Sequence, residues 1–386
     1  MKSIRKTIQL HTPNIFGNET KYLKECIKSN YLTFGKHSEL FLNKIKNITN
    51  SKYPALVHNC TSGLYMCLKI ADTKKDDEVI VPSITFVASI NVVKYCSANP
   101  IFMDVDEYCN IDLKKTKEFI LKETFYKNGK TFNKKTNKKI SSIIIVHTFG
   151  NIVNLEKSFI ELCKKRSITI IEDAAESLGS FYVKNDRKYH AGTIGSLGSI
   201  SFNGNKIITS AGGGVVLTNN KNLKKRVVYL SNQAKDDEVD FIHNEVGYNF
   251  RLSNIHAAIG LAQIENLEKI ILLKKKIHNE YKNRINKISG LSLINPPIYS
   301  QSNYWINILK IDNKYKFTKK FLLKKLISKK IQVRSVWFPN HLQKPYKKCQ
   351  TYKIKMANKI FKNYMCLPSS SSLKLQEIKY IVDNLK

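Results

Sequence analysis

At 386 residues, with 42% hydrophobic and 25% charged residues, the chain has the composition of a globular protein with one large domain and a smaller one. Its formal charge of +35 raises a nucleic-acid reading, but only seven of the 65 basic residues are arginine, and lysine is spread along the whole chain without aromatic interleaving. That pattern is drift toward lysine rather than a groove-reading surface, and no window approaches the ~18 consecutive apolar residues of a membrane span.

The opening Met1-Lys-Ser-Ile-Arg-Lys-Thr-Ile-Gln-Leu10 lacks an apolar signal-peptide core, which leads us to expect a cytoplasmic protein. Residues 19–31 and 36–50 carry apolar residues at helical spacing. An alternation follows: strands at Ala55–Val57, Glu78–Val81, Ile101–Val105, Ser142–His147 and Ser167–Asp173, with helical stretches at Leu64–Ile70, Val87–Tyr95 and Leu155–Lys165. Ser199–Phe202 and Gly213–Thr218 complete the strands. Continuous apolar strands separated by helices predict a mostly parallel sheet covered on both faces. The polar stretch Thr124–Lys139, with Asn128-Gly129 at a hairpin position, reads as a surface insertion. From Ser253, a candidate N-cap, a helix is expected to run through Leu267 and Leu272 toward residue 288 and to leave the large domain. We therefore divide the chain into residues 1–265 and 266–386. The eight cysteines form no CxxC pair and no zinc-like cluster, as expected of reduced core thiols.

Ligands gather at the carboxyl ends of strands in open α/β sheets, and several polar residues fall there. Asn59-Cys-Thr-Ser-Gly63 lies between a strand and a helix, so Thr61 and Ser62 can offer hydroxyls and amides to a phosphate. Asp173 ends a strand, where it either caps a following helix or faces a cation. Lys206 stands in Ser201-Phe-Asn-Gly-Asn-Lys206, with no other charged residue within five positions and three glycines from Gly212 onward. A phosphate cradle, a carboxylate and an isolated lysine are what pyridoxal phosphate requires.

Four motifs carry a closer resemblance: Pro82-Ser-Ile-Thr-Phe-Val-Ala88, Glu172-Asp-Ala-Ala-Glu-Ser177, Ser201–Lys206 and Gly247-Tyr-Asn-Phe-Arg-Leu-Ser-Asn254. With them the chain resembles, over nearly its whole length, the DegT/DnrJ/StrS family of sugar aminotransferases. The resemblance implies a fold-type I transferase: a three-layer α/β/α large domain with a mostly parallel sheet, and a smaller α/β C-terminal domain. It implies that Lys206 forms the Schiff base with the cofactor and shuttles the proton, and that Asp173 pairs with the pyridinium nitrogen. Phe86 would stack on the ring, unless it is simply core. Thr61, Ser62 and Ser201 would hold the phosphate, and Asn249 would reach the neighbouring subunit's cofactor, which makes a homodimer part of the active site. Glu176 stands where relatives commonly carry Gln or His against the phenolic oxygen. Ala211-Gly212-Gly213-Gly214 replaces a common Gly-Glu-Gly-Gly, and Cys60 replaces a glycine.

Arg251 is a candidate clamp for a donor carboxylate or a structural ion pair. Arg334 and His341 are candidate substrate contacts, with a structural role open for the histidine. Tyr304-Trp305 either borders the same cleft or packs in the core. The subgroup most similar in Asp173–Ser180 and Ser201–Thr209 makes 4-amino sugars on routes to legionaminic acid and related bacterial surface glycans. The expected activity is amino transfer from glutamate to a nucleotide-linked 4-keto-6-deoxy sugar such as UDP-2-acetamido-2,6-dideoxy-hexos-4-ulose. The alternatives are a deoxysugar dehydratase, in which histidine often replaces the lysine, and a non-catalytic relative that binds nucleic acid.

Overall fold

The computed structural model describes residues 7–386; Met1–Lys6, part of the stretch without a leader core, lie outside the described residues. The large sheet is built on seven strands: β1 Ala55–Val57, β2 Glu78–Pro82, β3 Asn99–Met103, β4 Lys139–Val146, β5 Thr169–Asp173, β6 Leu197–Ser201 and β7 Gly214–Leu217. Their order is β1-β7-β6-β5-β4-β2-β3. β2, β3, β4, β5 and β6 pair in parallel, whereas β7 runs antiparallel to both of its neighbours. The carboxyl ends of β1 through β6 therefore share one edge of the sheet, and the start of β7 meets them there.

Alternation of side chains explains why these strands are apolar throughout. Val79, Val81, Ile144, Val146 and Ile171 enter one buried cluster with the helix Cys60–Ile70. Their neighbours Ile80, Ile143, Ile145 and Ile170 enter another, with Phe119 and Phe159 from helices on the opposite face. A strand buried on both faces has no solvent side on which polar residues could alternate.

The stretch Thr124–Lys139 forms the expected hairpin, turning at Asn128 and Gly129, which both have positive φ as a tight turn of this kind requires. It is more than a surface insertion. Its second strand pairs with Lys139–Ile140 at the foot of β4, away from the strand ends that carry the motifs. Asn133 is buried there and donates to Glu78 and Gln350, each at 2.7 Å.

The helix that starts at the Ser253 cap stops at Ile264, and a second begins at Leu267, so the expected continuous helix is broken at Glu265-Asn266. The second helix contributes Ile277, Tyr281 and Ile285 to a separate core. That core also takes up strands Leu291–Leu293, Asn307–Ile311 and Tyr364–Leu367 of a four-stranded sheet whose edge is Arg334–Ser335. The chain returns to the large sheet at Thr351–Tyr352, which pairs in parallel with β3. No helix among the described residues is long and apolar enough to cross a membrane.

Asp104, at the end of β3, locks this return. Its carboxylate accepts the backbone amides of Lys355, Met356 and Ala357, all at 2.9 Å, at the start of helix Met356–Asn363, and Lys115 donates to it at 2.6 Å. Burial alone would raise its pKa, but these donors hold it below the ordinary aspartate value. A depressed pKa gives stability that is present above the unfolded value, near pH ~3.9, and lost as pH falls through the folded one. We predict that Asp104→Asn lowers unfolding free energy by about 2–3 kcal/mol at neutral pH, because an amide places donors against donors. Thermal and urea unfolding should show this difference shrinking below pH ~4.

Candidate active site

The strand ends converge on a cavity of about 770 Å³. β1 delivers His58 to Ser62, β2 delivers Thr85 and Phe86, β5 delivers Asp173 and Glu176, and β6 delivers Ser201 to Lys206. The glycine run and His256 close one side, and Trp305, Arg334 and Trp337 from the C-terminal part close the other.

Lys206 is only 8% exposed. Its Nζ lies 3.6 Å from Glu176 Oε1 and 4.6 Å from the centre of the Trp305 ring. An ammonium over an indole face gains from the ring quadrupole where water cannot compete. Trp305 is itself fixed, since its Nε1 donates to the Asn205 carbonyl at 2.7 Å. The indole thus holds the loop that presents the lysine.

Asp173 does not cap a helix, because no helix follows β5. Its Oδ1 instead receives the amide of Ala175 at 3.0 Å, and its Oδ2 receives the Ser89 hydroxyl at 2.6 Å. Among the described residues no basic side chain pairs with it within 4.0 Å. A buried carboxylate without a cation is costly, and it suits a ligand that brings a positive charge.

Glu176 accepts the Phe149 amide at 2.8 Å. Burial pushes its pKa up to about 7, against the opposing pull of Lys206. Phe149 has φ +58°, a left-handed conformation that is unfavourable for an aromatic residue. The flanking carbonyls of His147 and Gly150 are held by the Ser177 and Ser180 hydroxyls, which keep the turn in place. The Phe149 ring stacks on Trp337 at 4.5 Å and more distantly on Trp305. Both tryptophans of the chain thus stand in one wall of the cavity.

At the opposite corner, Asn59 caps the helix Cys60–Ile70 by accepting the Ser62 amide at 2.8 Å. This cap takes the Ser62 amide and the Asn59 carbonyl takes that of Gly63, which leaves the amides of Cys60 and Thr61 without intrahelical partners. A Cβ on Gly214 would sit 2.6 Å from the Cys60 nitrogen, so this corner closes only around glycine. Ser62 Oγ lies 3.1 Å from the cap oxygen, and Ser201 Oγ accepts the Asn203 amide at 3.3 Å.

Of the sequence candidates, Thr61, Ser62, Phe86, Asp173, Glu176, Ser201, Lys206 and Arg334 line this cavity. Phe86 is 55% exposed, so it is not core. Trp305 lines the cleft and is buried, which joins the two readings given for it. Three candidates lie elsewhere. His341 sits beside Ser83 Oγ at 2.6 Å and against Phe102. Arg251 is exposed over the ring of Phe34, and Asn249 is exposed on the neighbouring segment.

Sequence reasoning missed four supports. Glu172 receives His147 Nε2 at 2.7 Å and the amides of Gly192, Ile194 and Gly195; these bonds outweigh its burial and lower its pKa. The Val153 amide donates to His147 Nδ1 at 3.1 Å, which assigns the ring proton to Nε2. Ser89 orients Asp173. Lys274, fully buried, donates to the Trp305 and Ser369 carbonyls at 2.9 and 2.6 Å and faces His11 Nε2 at 3.0 Å; burial lowers its pKa to about 7. In a chain so rich in lysine, no local signal distinguished Lys274.

Comparison with known proteins agrees with this geometry. The DegT/DnrJ/EryC1/StrS aminotransferase family model matches residues 13–386. The GDP-perosamine synthase of Escherichia coli O157:H7 is 32% identical over 98% of both chains. A UDP-4-amino-4,6-dideoxy-N-acetyl-beta-L-altrosamine transaminase of Campylobacter jejuni is 26% identical over 96% of this chain and 95% of its own. Among solved structures, Helicobacter pylori PseC, an aminotransferase of pseudoaminic acid biosynthesis, shares the fold with a TM-score of 0.87 at 23% identity, covering 98% of each chain. The chain belongs to the DegT/DnrJ/EryC1/StrS aminotransferase family.

The raised pKa of Glu176 makes a signed prediction. A carboxyl whose folded pKa exceeds its unfolded value costs stability progressively as pH rises from the unfolded value, ~4.3, to the folded one. Glu176→Gln, which cannot ionise, should gain melting temperature relative to wild type between pH 5 and pH 8 in the cofactor-free protein. Calorimetry at several pH values checks it; a constant difference would refute the assigned protonation.

Proposed function

We propose that this member of the family is a pyridoxal phosphate-dependent aminotransferase that moves the amino group of glutamate to the keto carbon of a nucleotide-linked 4-keto-6-deoxy sugar. The carrying observation is that Lys206, Asp173 and the exposed ring of Phe86, from three strand ends, line one cavity with a helix N-terminus. These residues fit the cofactor: an amine for its aldehyde, a carboxylate without a cationic partner for its ring nitrogen, an aromatic face for its ring, and hydroxyls at a helix N-terminus for its phosphate. When bound, pyridoxal phosphate supplies a carrier for the amino group and a ring that accepts electrons.

The protein's own residues do the rest. Lys206 Nζ moves the proton at the substrate carbon, held between Glu176 and the Trp305 face. Asp173, oriented by Ser89 and Ala175, supplies the negative charge that keeps a ring nitrogen protonated. Glu176, whose carboxyl burial keeps largely protonated, would offer a hydrogen-bond donor to the cofactor's phenolic oxygen. Thr61, Ser62, Ser201 and the helix amides bind the phosphate. The Phe149–Trp305–Trp337 wall excludes water, and Arg334 on the edge strand offers a bidentate fork to the substrate's phosphates or to a donor carboxylate.

The enzyme works as a homodimer in which Asn249 and Arg251 serve the partner's cavity. Two features support this: both residues are exposed outside their own cavity, and Arg251 lies over the exposed ring of Phe34, with exposed Leu32 and Val246 nearby along the chain. The lysine at position 206 favours amino transfer over dehydration.

Lys206→Ala should reduce turnover at least ~10³-fold with an unchanged circular dichroism spectrum. With wild type, glutamate alone should bleach the long-wavelength absorbance of the bound cofactor. A panel of UDP- and GDP-linked 4-keto sugars read by mass should then give a 4-amino product; no product from any member would overturn the reading. Arg334→Ala should raise KM for the sugar nucleotide about tenfold while kcat changes less.

A further inference from the structure

Two buried basic groups, His11 and Lys274, have no part in the roles above, yet they sit directly behind the cavity wall. Lys274 Nζ meets the Trp305 carbonyl at 2.9 Å, the Ser369 carbonyl at 2.6 Å and His11 Nε2 at 3.0 Å. Trp305 in turn reaches the reactive lysine twice, with its ring against Lys206 Nζ and with Nε1 on the carbonyl of the preceding Asn205. The N-terminal segment brings His11 to this point and is strapped to the C-terminal core: Ile8 bridges Ile331 in parallel, the Ser369 amide donates to the Leu10 carbonyl, and the Thr12 amide donates to Ser370 Oγ.

One atom decides where the protons lie. His11 Nδ1 is buried and has no hydrogen-bond partner among the described residues. A ring proton there would be a buried donor without an acceptor, the costly case. The neutral ring therefore carries its proton on Nε2, facing Lys274. Nε2–H needs a lone pair, and the atom it meets offers one only as an uncharged amine. In that state the two N–H bonds of Nζ go to the two carbonyls and its lone pair receives the imidazole proton, so every donor is placed. A proton added to Nζ occupies the lone pair, and the His11 ring proton must then move to Nδ1, where nothing accepts it.

We propose that His11 and Lys274 form an uncharged, proton-sharing pair that positions Trp305, and through it the loop of Lys206, and that uptake of one proton by the pair loosens this hold. Burial acts in the same direction: it lowers Lys274 to about 7, and together with the charges of Lys274 and Lys206 it takes His11 well below its ordinary value. No acid of the described residues contributes at either group. The titratable groups around the pair are few. Lys206 stands across the Trp305 ring. His278, one turn further along the same helix, is turned to Asn307 and Asn295 and lowered by burial. Tyr281 donates to the Pro368 carbonyl and Tyr304 packs on His278, both raised by burial. Glu176, raised to about 7, faces Lys206 and not the pair.

The chain has two tryptophans, so Trp337→Phe leaves Trp305 as the only indole. In that protein, free of cofactor, Trp305 emission should pass through one transition with a midpoint near pH 7. Lys274→Gln keeps amide donors for the carbonyls and an oxygen for Nε2–H, and should hold the alkaline emission between about pH 6 and pH 8. Lys274→Arg, always charged, should hold the acid emission over the same range. A lysine with only a structural role would not divide these two replacements. His11→Phe leaves a third N–H of charged Lys274 unplaced and should move the midpoint down by about one unit, a tenfold weaker hold on the proton. Glu176→Gln should keep the transition. No transition in the Trp337→Phe protein, or one that persists in Lys274→Gln, overturns the pair; should the Lys274 variants misfold, an unmoved midpoint in His11→Phe does so. The bearing of the pair on turnover rests on the aminotransferase reading, whereas its proton does not. In loaded enzyme Lys274→Arg should lower kcat about tenfold at pH 8 with KM for the sugar nucleotide within about twofold, and Lys274→Gln should lose less. An unchanged kcat in Lys274→Arg overturns the positioning role. If no sugar nucleotide turns over in wild type, the functional reading fails instead, and the emission of Trp305 still judges the pair.

Discussion

A buried amine and a buried acid, Lys206 and Glu176, stand 3.6 Å apart at the end of a parallel sheet, and much of the surrounding structure is organised to hold them. Charges removed from water are unstable without partners, and a partner only helps when its position is fixed. The Phe149 amide fixes Glu176, and the Trp305 ring fixes Lys206. Each of these supports is in turn anchored: Phe149 by a left-handed turn tied through Ser177 and Ser180, Trp305 by Asn205 and by Lys274 from below.

The same demand explains where the molecule tolerates cost. Lys274 is a fully buried amine with backbone carbonyls as partners instead of a carboxylate, and burial disfavours its charged form. It joins the N-terminal segment at His11, the long second helix, the segment at Trp305 and the residue Ser369 at one atom. Asp104 plays a corresponding part at the end of β3, where one carboxylate receives the first amides of a helix that returns from the C-terminal part. Rigidity at the chemistry is thus obtained from polar groups placed well outside it.

Much of this was legible in the sequence. The strands were visible because two-sided burial makes them apolar throughout, and Lys206 was visible because its neutral neighbourhood contrasts with a lysine-rich chain. The boundaries were less so. Nothing in the period of the apolar residues marked the break at Glu265-Asn266, since both helices keep an apolar face. The hairpin at 124–133 read as surface because its composition is polar, yet Thr131 and Asn133 are buried with their polar groups satisfied by hydrogen bonds to the Arg166 carbonyl, Glu78 and Gln350.

By itself the sequence singled out the candidate reactive residues and the alternation of strands and helices, because those properties reside in local composition and spacing. The tertiary structure alone decided which of them meet. Parallel pairing of β2 to β6 gathers strand ends more than a hundred residues apart onto one edge, and that gathering turned Phe86 outward and placed both tryptophans on one wall. It also set His58 beside His256 and left His341, Arg251 and Asn249 outside the cavity. Proximity between distant segments depends on strand order and direction, which are settled by packing over the whole sheet and leave no mark at any single position.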